Sequence, residues 1–253
     1  MRFHLPKPMH GWREFAGEVG IIVVGVLIAL AAEEMLTDLN WHQKAERGEA
    51  ALKREAKESS TYFVEQITVG PCIIAQIDYL RDKLLTGSSL KDVETYETKA
   101  GRQIIRAPVR SYANDVWISL LADGTAAHMS DTRRHRTALY YTELDELVSS
   151  LPETMTLRQE LLVLADPITL DLHARFESLQ KLAQLRSRTI LQTLQSTQSL
   201  AALRDLGRLP SANTLEEMVD QSKKGGTAAV CIHRKFPLGD WHRDLAGEPA
   251  EPV

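Results

Sequence analysis

The sequence predicts an all-α protein: one N-terminal transmembrane helix that continues into a stalk helix, followed by an irregular antiparallel helical bundle. Three observations predict it. Residues 19–32 form a run of 14 without a single charge, apolar or glycine on every face. From Trp41 onward, apolar and small residues recur at gaps of three and four, the helical spacing. Nowhere does apolar–polar alternation last long enough for a sheet, and no solenoid-type repeat occurs.

Composition sets the outer bounds. Of 253 residues, 43% are hydrophobic and 25% charged, enough for a packed core and too apolar for a disordered chain. That length fits one domain of about 200 residues plus an N-terminal segment, or two small domains. A net charge of −4 and 6% aromatic content argue against a nucleic-acid partner.

A hydrocarbon layer about 30 Å thick takes about 20 helical residues to cross. Extended to residues 15–36, the apolar segment reaches 22, with Glu18, Glu33 and Glu34 near its ends, where a carboxylate reaches headgroups and water. Trp12 and Phe15 suit the interface on the N-terminal side. A cleaved signal peptide is the main alternative, because Ala29, Leu30 and Ala31 make an A-x-A pattern after the apolar core, and Arg2, Lys7 and Arg13 precede it. The cleaved form would be a soluble periplasmic protein. The glutamates upstream of the run and the helical pattern directly after it favour a retained anchor. Apolarity on every face disfavours the third reading, a core helix of a soluble domain.

Basic residues precede the run, and Glu33, Glu34 and Asp38 follow it before the first lysine, Lys44. The Lys/Arg bias therefore puts residues 1–14 in the cytoplasm. Residues 37–244 form the periplasmic domain, residues 245–253 a flexible tail, and the membrane is the inner (cell) membrane. Ala16 with Gly20, and Gly25 with Ala29, are small-xxx-small pairs that predict a helix-association face. Export makes a Cys72–Cys231 disulfide permissible; two unpaired buried cysteines are the alternative.

The stretch "HGWREFAGEVGIIVVGVLIALAAEE" resembles the start of a family of uncharacterised bacterial single-pass membrane proteins, in which Gly-Glu precedes an apolar segment like "GVLIAL" and a long charged helix follows. The matching residues are Gly17, Glu18 and residues 25–30. Residues 120–141 are similar to the family's middle, where a helix ends in a glycine turn and a helix with paired tyrosines begins. The family often has Gln/Asn-Trp after the apolar run; Glu33 and Glu34 stand there instead. The resemblance implies a retained anchor and a helical exterior, and carries no activity.

The stalk stripe runs through Trp41, Ala45, Gly48, Leu52, Ala56, Ser59, Phe63 and Ile67, an eleven-residue pattern that gives a nearly straight seam. It predicts either packing on the chain's own domain or a coiled-coil dimer seam. Gly70 and Pro71 are expected to stop this helix, and a second runs to about Leu85 with Gly87 as cap. Residues 87–101 read as loop. A helix carrying Tyr112, Val116 and Leu120 starts near Val109 and ends at the Asp123, Gly124 turn. Ser130 caps a helix to Val148, and Pro152 opens another that breaks at Asp166 and Pro167. Leu172, Phe176, Leu179, Ala183, Ile190 and Leu194 then line one face of a long helix, ended by Gly207 and Pro210. Thr214 and Glu217 form a capping box for a short helix. Residues 223–226 are a joint, and residues 227–232 a short strand or loop.

Little in the chain points to chemistry. Arg133, Arg134 and Arg136, with His135, crowd the opening turns of a helix and form a candidate contact for an anion or an acidic partner; the plainer reading is a solvated face. Arg102, Arg106 and Arg110 are four apart but span Pro108. Cys231, His233, Asp240 and His242 lack a standard zinc spacing. His128 and His135 read as surface residues. No metalloprotease, nucleophile-elbow, phosphate-loop or dinucleotide motif is present. The expectation is a non-enzymatic interaction or scaffold protein without cofactor or metal. Its partners are the lipid bilayer and either a second copy or another envelope protein. A sensor-like domain that binds a small ligand between its helices is the alternative.

Overall fold

In the computed structural model, residues 11–98, 101–166 and 170–242 are described. Residues 1–10, Pro167 and the tail at 245–253 lie outside them. The architecture is all-α. One helix of 74 residues, α1 (Trp12–Leu85), is its spine. At 1.5 Å per residue it is about 110 Å long. Its N-terminal part is long and apolar enough to cross a membrane, with a mean hydropathy of 2.4 and none of that window buried. The rest of α1 is the central helix of the domain. Leu52, Ala56, Phe63 and Ile67 of the stripe are all buried, so the stripe packs on its own domain and forms no dimer seam. Only the few residues before Trp41 remain as a stalk.

Gly70 and Pro71 do not stop α1. A proline inside a helix removes one bond, here to the Ile67 carbonyl, at a cost of about 3 kcal/mol. Val69, Cys72, Ile73 and Ile77 are fully buried around it, and that packing holds the helix through. The chain's C-terminal loop covers the weakened turn: the Gly239 N–H donates to the Thr68 carbonyl at 2.9 Å. A Cβ at Gly239 would collide with the Ile67 carbonyl oxygen, so only glycine fits there.

A two-stranded hairpin, β1 (Tyr96–Thr98) and β2 (Gly101–Gln103), follows where a loop is expected, with Glu97 opposite Arg102 in antiparallel register. Residues 104–114 are then irregular. Gln76 of α1 pins them by exchanging two bonds with the Arg106 backbone, at 3.0 and 2.8 Å. The next helix therefore starts late, as α2 (Asp115–Ala122). Glu55 of α1 accepts from the Val116 N–H at 3.0 Å and so caps α2 from outside. A 3-10 turn at Thr125–His128 leads to α3 (Asp131–Glu160), which runs straight through Pro152. Leu147, Ser150, Thr154 and Leu157 are buried on both sides of that proline, and packing again overrides it.

After a second 3-10 turn (Leu161–Ala165), α4 (Leu172–Asp205) returns antiparallel to α1 and lies against both α1 and α3. Its short successor α5 (Ala212–Lys223) is capped by Ser211, whose hydroxyl accepts from the Thr214 N–H at 3.3 Å, so the cap sits three residues before the one expected. Residues 227–232 are neither strand nor loop: they lie in α6 (Gly226–His233), with Thr227, Ala228 and Cys231 facing inward on one helical side. A disulfide joins Cys231 to Cys72 of α1, with the Cα atoms 5.8 Å apart.

The core has two parts. One gathers Leu52 and Phe63 of α1 with Tyr140, Leu144, Leu200, Trp117 and Trp241. The other gathers Ile73, Ile77 and Leu80 with Leu161, Leu164, Leu182, Leu185 and Ile104. Between helices the contact is close and partly polar. Thr189, Gln192, Ser196 and Ser199 of α4 face inward and are buried. Thr189 and Ser196 hydroxyls donate to carbonyls four residues back, and Gln192 donates to Thr154 of α3 at 2.9 Å.

Candidate functional site

Two features stand apart from the packed core: the outer face of α4, and a pair of hollows that meet at Arg158. The inner face of α4 mixes small polar residues with Leu182, Leu185, Leu200 and Leu203, and a second set of large apolar residues points outward. Leu172 is 84% exposed, Phe176 59% and Leu194 52%, with Ile190 and Leu191 beside them. Most of the apolar face recognised in the sequence is thus a surface, with Leu179 only half-buried. Phe176, Gln180, Ala183, Ser187, Ile190 and Leu194 follow one another at gaps of four and three, all exposed and all uncharged. Thr197 and Ala201 continue the spacing, half-buried. That is the a/d spacing of a left-handed coiled coil.

The hollows lie beside the irregular segment that Gln76 pins. The larger, about 410 Å³, is walled by Ile104, Ile105, Ala107 and Val109 on one side and by Met155, Leu161 and Leu162 on the other. The smaller, about 40 Å³, is bordered by Tyr62, Gln66, Tyr112 and Gln192. Arg158, Met155 and Val109 belong to both. Arg158 stands in the last turn of α3, where the helix dipole favours a cation. Its Nη1 donates to the Pro108 carbonyl at 3.1 Å, while Nε is buried without an acceptor among the described residues. Burial, with no carboxylate to offset it, pushes this guanidinium down to about 10. Among the described residues, no carboxylate or histidine lines either hollow.

Arg110, at the rim of the smaller hollow, is the opposite case. Its Nε and Nη2 both donate to Glu65, at 2.6 and 2.9 Å, and its pKa is raised, chiefly by that bond. Arg208, 2% exposed, holds Glu49 through the same two atoms at 2.9 and 2.8 Å. A buried carboxylate lies elsewhere, at Glu55, which takes the Val116 N–H and the Tyr141 hydroxyl. Burial raises its pKa, and the two hydrogen bonds act against that rise. Trp117 stacks on Tyr141, and Tyr140 meets Tyr141 edge-on, so this network ties α1, α2 and α3 together.

The arginines at the start of α3 do not converge on one seat. Arg134 pairs with Asp131 at 2.8 Å, in its own first turn. Arg136 donates to the Asp205 carbonyl at 3.4 Å, at the C-terminal end of α4. Arg133 borders a shallow hollow beside His42, Glu46 and His128. Arg102 pairs with Glu97 across the hairpin at 3.1 Å. Cys231 is committed to the disulfide, and among the described residues no group of three or more His, Cys, Asp or Glu converges. Ala16, Gly20, Gly25 and Ala29 are exposed on a regular helix. At about 100° per residue the first pair lies about half a turn from the second, so they make two faces and not one.

Sequence reading missed Arg158. It is a lone base in "TLRQELLVLA", and nothing local says that residues 104–109 fold over it. The outward direction of the α4 face was equally hidden. Comparison with protein families, curated proteins and solved structures finds no match.

Proposed function

We propose that this protein is a non-enzymatic interaction module, held at the periplasmic surface of the inner membrane by residues 15–36 and paired with a second copy of itself through α4. The observation that carries the reading is the uncharged heptad seam from Phe176 to Leu194, exposed on the outer face of α4. Several large apolar residues in one stripe are a costly surface to leave in water, and such a surface commonly marks an interface. The second copy is the fitting occupant because an anchor holds both chains upright in one membrane. Their α4 helices then run parallel and at equal height, so that each seam residue meets its own counterpart across a twofold axis. Confinement to a membrane also raises the effective concentration of the pair.

Basic residues before the apolar run and acidic ones after it support the orientation. The Cys72–Cys231 bond fits an oxidising compartment. The unbroken helix through residue 31 supports a retained anchor. The domain begins at Trp41, which stacks on His128 at 4.1 Å. That is five residues past Leu36, about 7.5 Å, so the domain rests at headgroup depth.

Thiol crosslinking in native membranes tests the pairing. With a short bis-maleimide, Ile190→Cys and Leu194→Cys are expected to give a covalent dimer, and Lys57→Cys, exposed on α1, is not. Monomer at both seam positions, or equal dimer at Lys57→Cys, refutes it. Intact mass in the membrane fraction tests the anchor: a mass beginning near Ala32 in the soluble exported fraction removes it.

A further inference from the structure

The hollow at Arg158 suits a ligand of a definite kind, and it does so independently of any pairing through α4. Arg158 is a cation with no carboxylate partner among the described residues, and apolar side chains line the larger hollow beside it. Such groups are normally paired, because taking a charge out of water is costly. The dipole of α3 and the Pro108 carbonyl offset part of that cost and use only Nη1. Nε has no acceptor, and Nη2 makes no hydrogen bond among the described residues. Those two atoms form the edge that Arg110 gives to Glu65 and Arg208 gives to Glu49. In this protein the same edge meets a carboxylate at Arg110 and at Arg208, whereas at Arg158, as at Arg175, Nε is buried without an acceptor among the described residues.

What surrounds Arg158 selects the rest of the ligand. The 410 Å³ hollow falls in the size range of small-molecule sites, and the walls beside Arg158 are Ile105, Val109, Met155, Leu161 and Leu162. Among the described residues, Gln103 and Gln159 are the only other polar ones there, and no second cation lines it. A dianion such as phosphate would keep an unbalanced charge, and a purely apolar guest would leave Nε unsatisfied. A single carboxylate on an apolar body meets both conditions, since a carboxylate takes the guanidinium fork in two parallel bonds.

We propose that this pocket binds an apolar monocarboxylate, a fatty-acid-like anion, with its carboxylate on the Nε–Nη2 edge of Arg158 and its chain along Ile105, Val109 and Leu162. The domain then carries a ligand site beneath the irregular segment at 104–109, and that segment closes over the bound chain.

Octanoate titrated into the full-length protein in uncharged detergent, followed by calorimetry, tests this. Octanoate is expected to bind saturably, and octan-1-ol about tenfold more weakly or worse, because the alcohol forfeits the charged fork. Arg158→Gln is expected to weaken octanoate by a similar factor. Met155→Trp, which narrows the hollow at a partly exposed position and leaves Arg158 in place, is expected to weaken octanoate and octanol together; this variant keeps the test valid should Arg158→Gln not fold. Equal binding of octanol and octanoate, unchanged octanoate binding in Arg158→Gln or Met155→Trp, inorganic phosphate binding as tightly as octanoate, or no octanoate binding at millimolar concentration would each overturn the proposal.

Discussion

Reducing the Cys72–Cys231 bond is expected to destabilise the domain strongly, although it removes few contacts. The bond spans 159 residues of sequence, from the C-terminal quarter of α1 to α6. Cutting it releases a closed loop of that length in the unfolded chain. The loop-closure expression for a ring of this size gives about 5 kcal/mol at 25 °C, while measured losses for native disulfides run from about 2 to 5 kcal/mol. The tether also acts locally. α6 is short, and it is stapled one residue after Pro71, the turn of α1 with a missing hydrogen bond. A loss of about 3–5 kcal/mol in a domain of about 200 residues corresponds to a fall in melting temperature of roughly 6–20 °C. The assay is thermal unfolding of the full chain in uncharged detergent, followed by far-ultraviolet circular dichroism, for the oxidised protein, the reduced protein and the Cys72→Ala/Cys231→Ala variant. Thiol titration first establishes that the oxidised sample has no free thiol. If all three melt within about 2 °C of each other, the loop does not constrain the unfolded chain as argued and the reasoning fails.

Two further predictions concern the joints of α1. Burial raises the Glu55 pKa above the ordinary 4.5, so the folded state holds a proton that the unfolded state has released. Stability from this group is therefore present below 4.5 and lost as pH rises through the raised value. Glu55→Gln removes that titration, and its melting temperature relative to the wild type should be higher at pH 8 than at pH 4; a difference that does not change with pH would sink the idea. Gly239→Ala should cost about 2–3 kcal/mol, from displaced backbone and the lost bond to the Thr68 carbonyl. A denaturant midpoint equal to that of the wild type would show that the loop yields freely.

Helix periodicity and the uncharged run were enough to read the all-α class, the apolar N-terminal segment and the course of α4. Those features depend on spacing along the chain, and spacing is local. The prolines misled for the same reason. Pro71 and Pro152 each remove one hydrogen bond, and alone each would end a helix, but buried neighbours such as Ile73 and Thr154 outweigh that loss. The α6 segment, apolar and short, carried no periodic signal strong enough to separate helix from strand.

Direction and partnership were decided by the tertiary structure alone. Spacing shows that Phe176, Ile190 and Leu194 share a face; whether that face meets the core depends on Ser196, Ser199 and Thr189 letting α4 approach α1 and α3 closely by the opposite side. Charge shows that Arg158 is a base; whether it has a partner depends on which carboxylates the fold brings within reach, and here Glu65 and Glu49 go to Arg110 and Arg208. A helix has faces by its own geometry, but what each face meets is set by elements a hundred residues away, through packing and desolvation that no local pattern encodes.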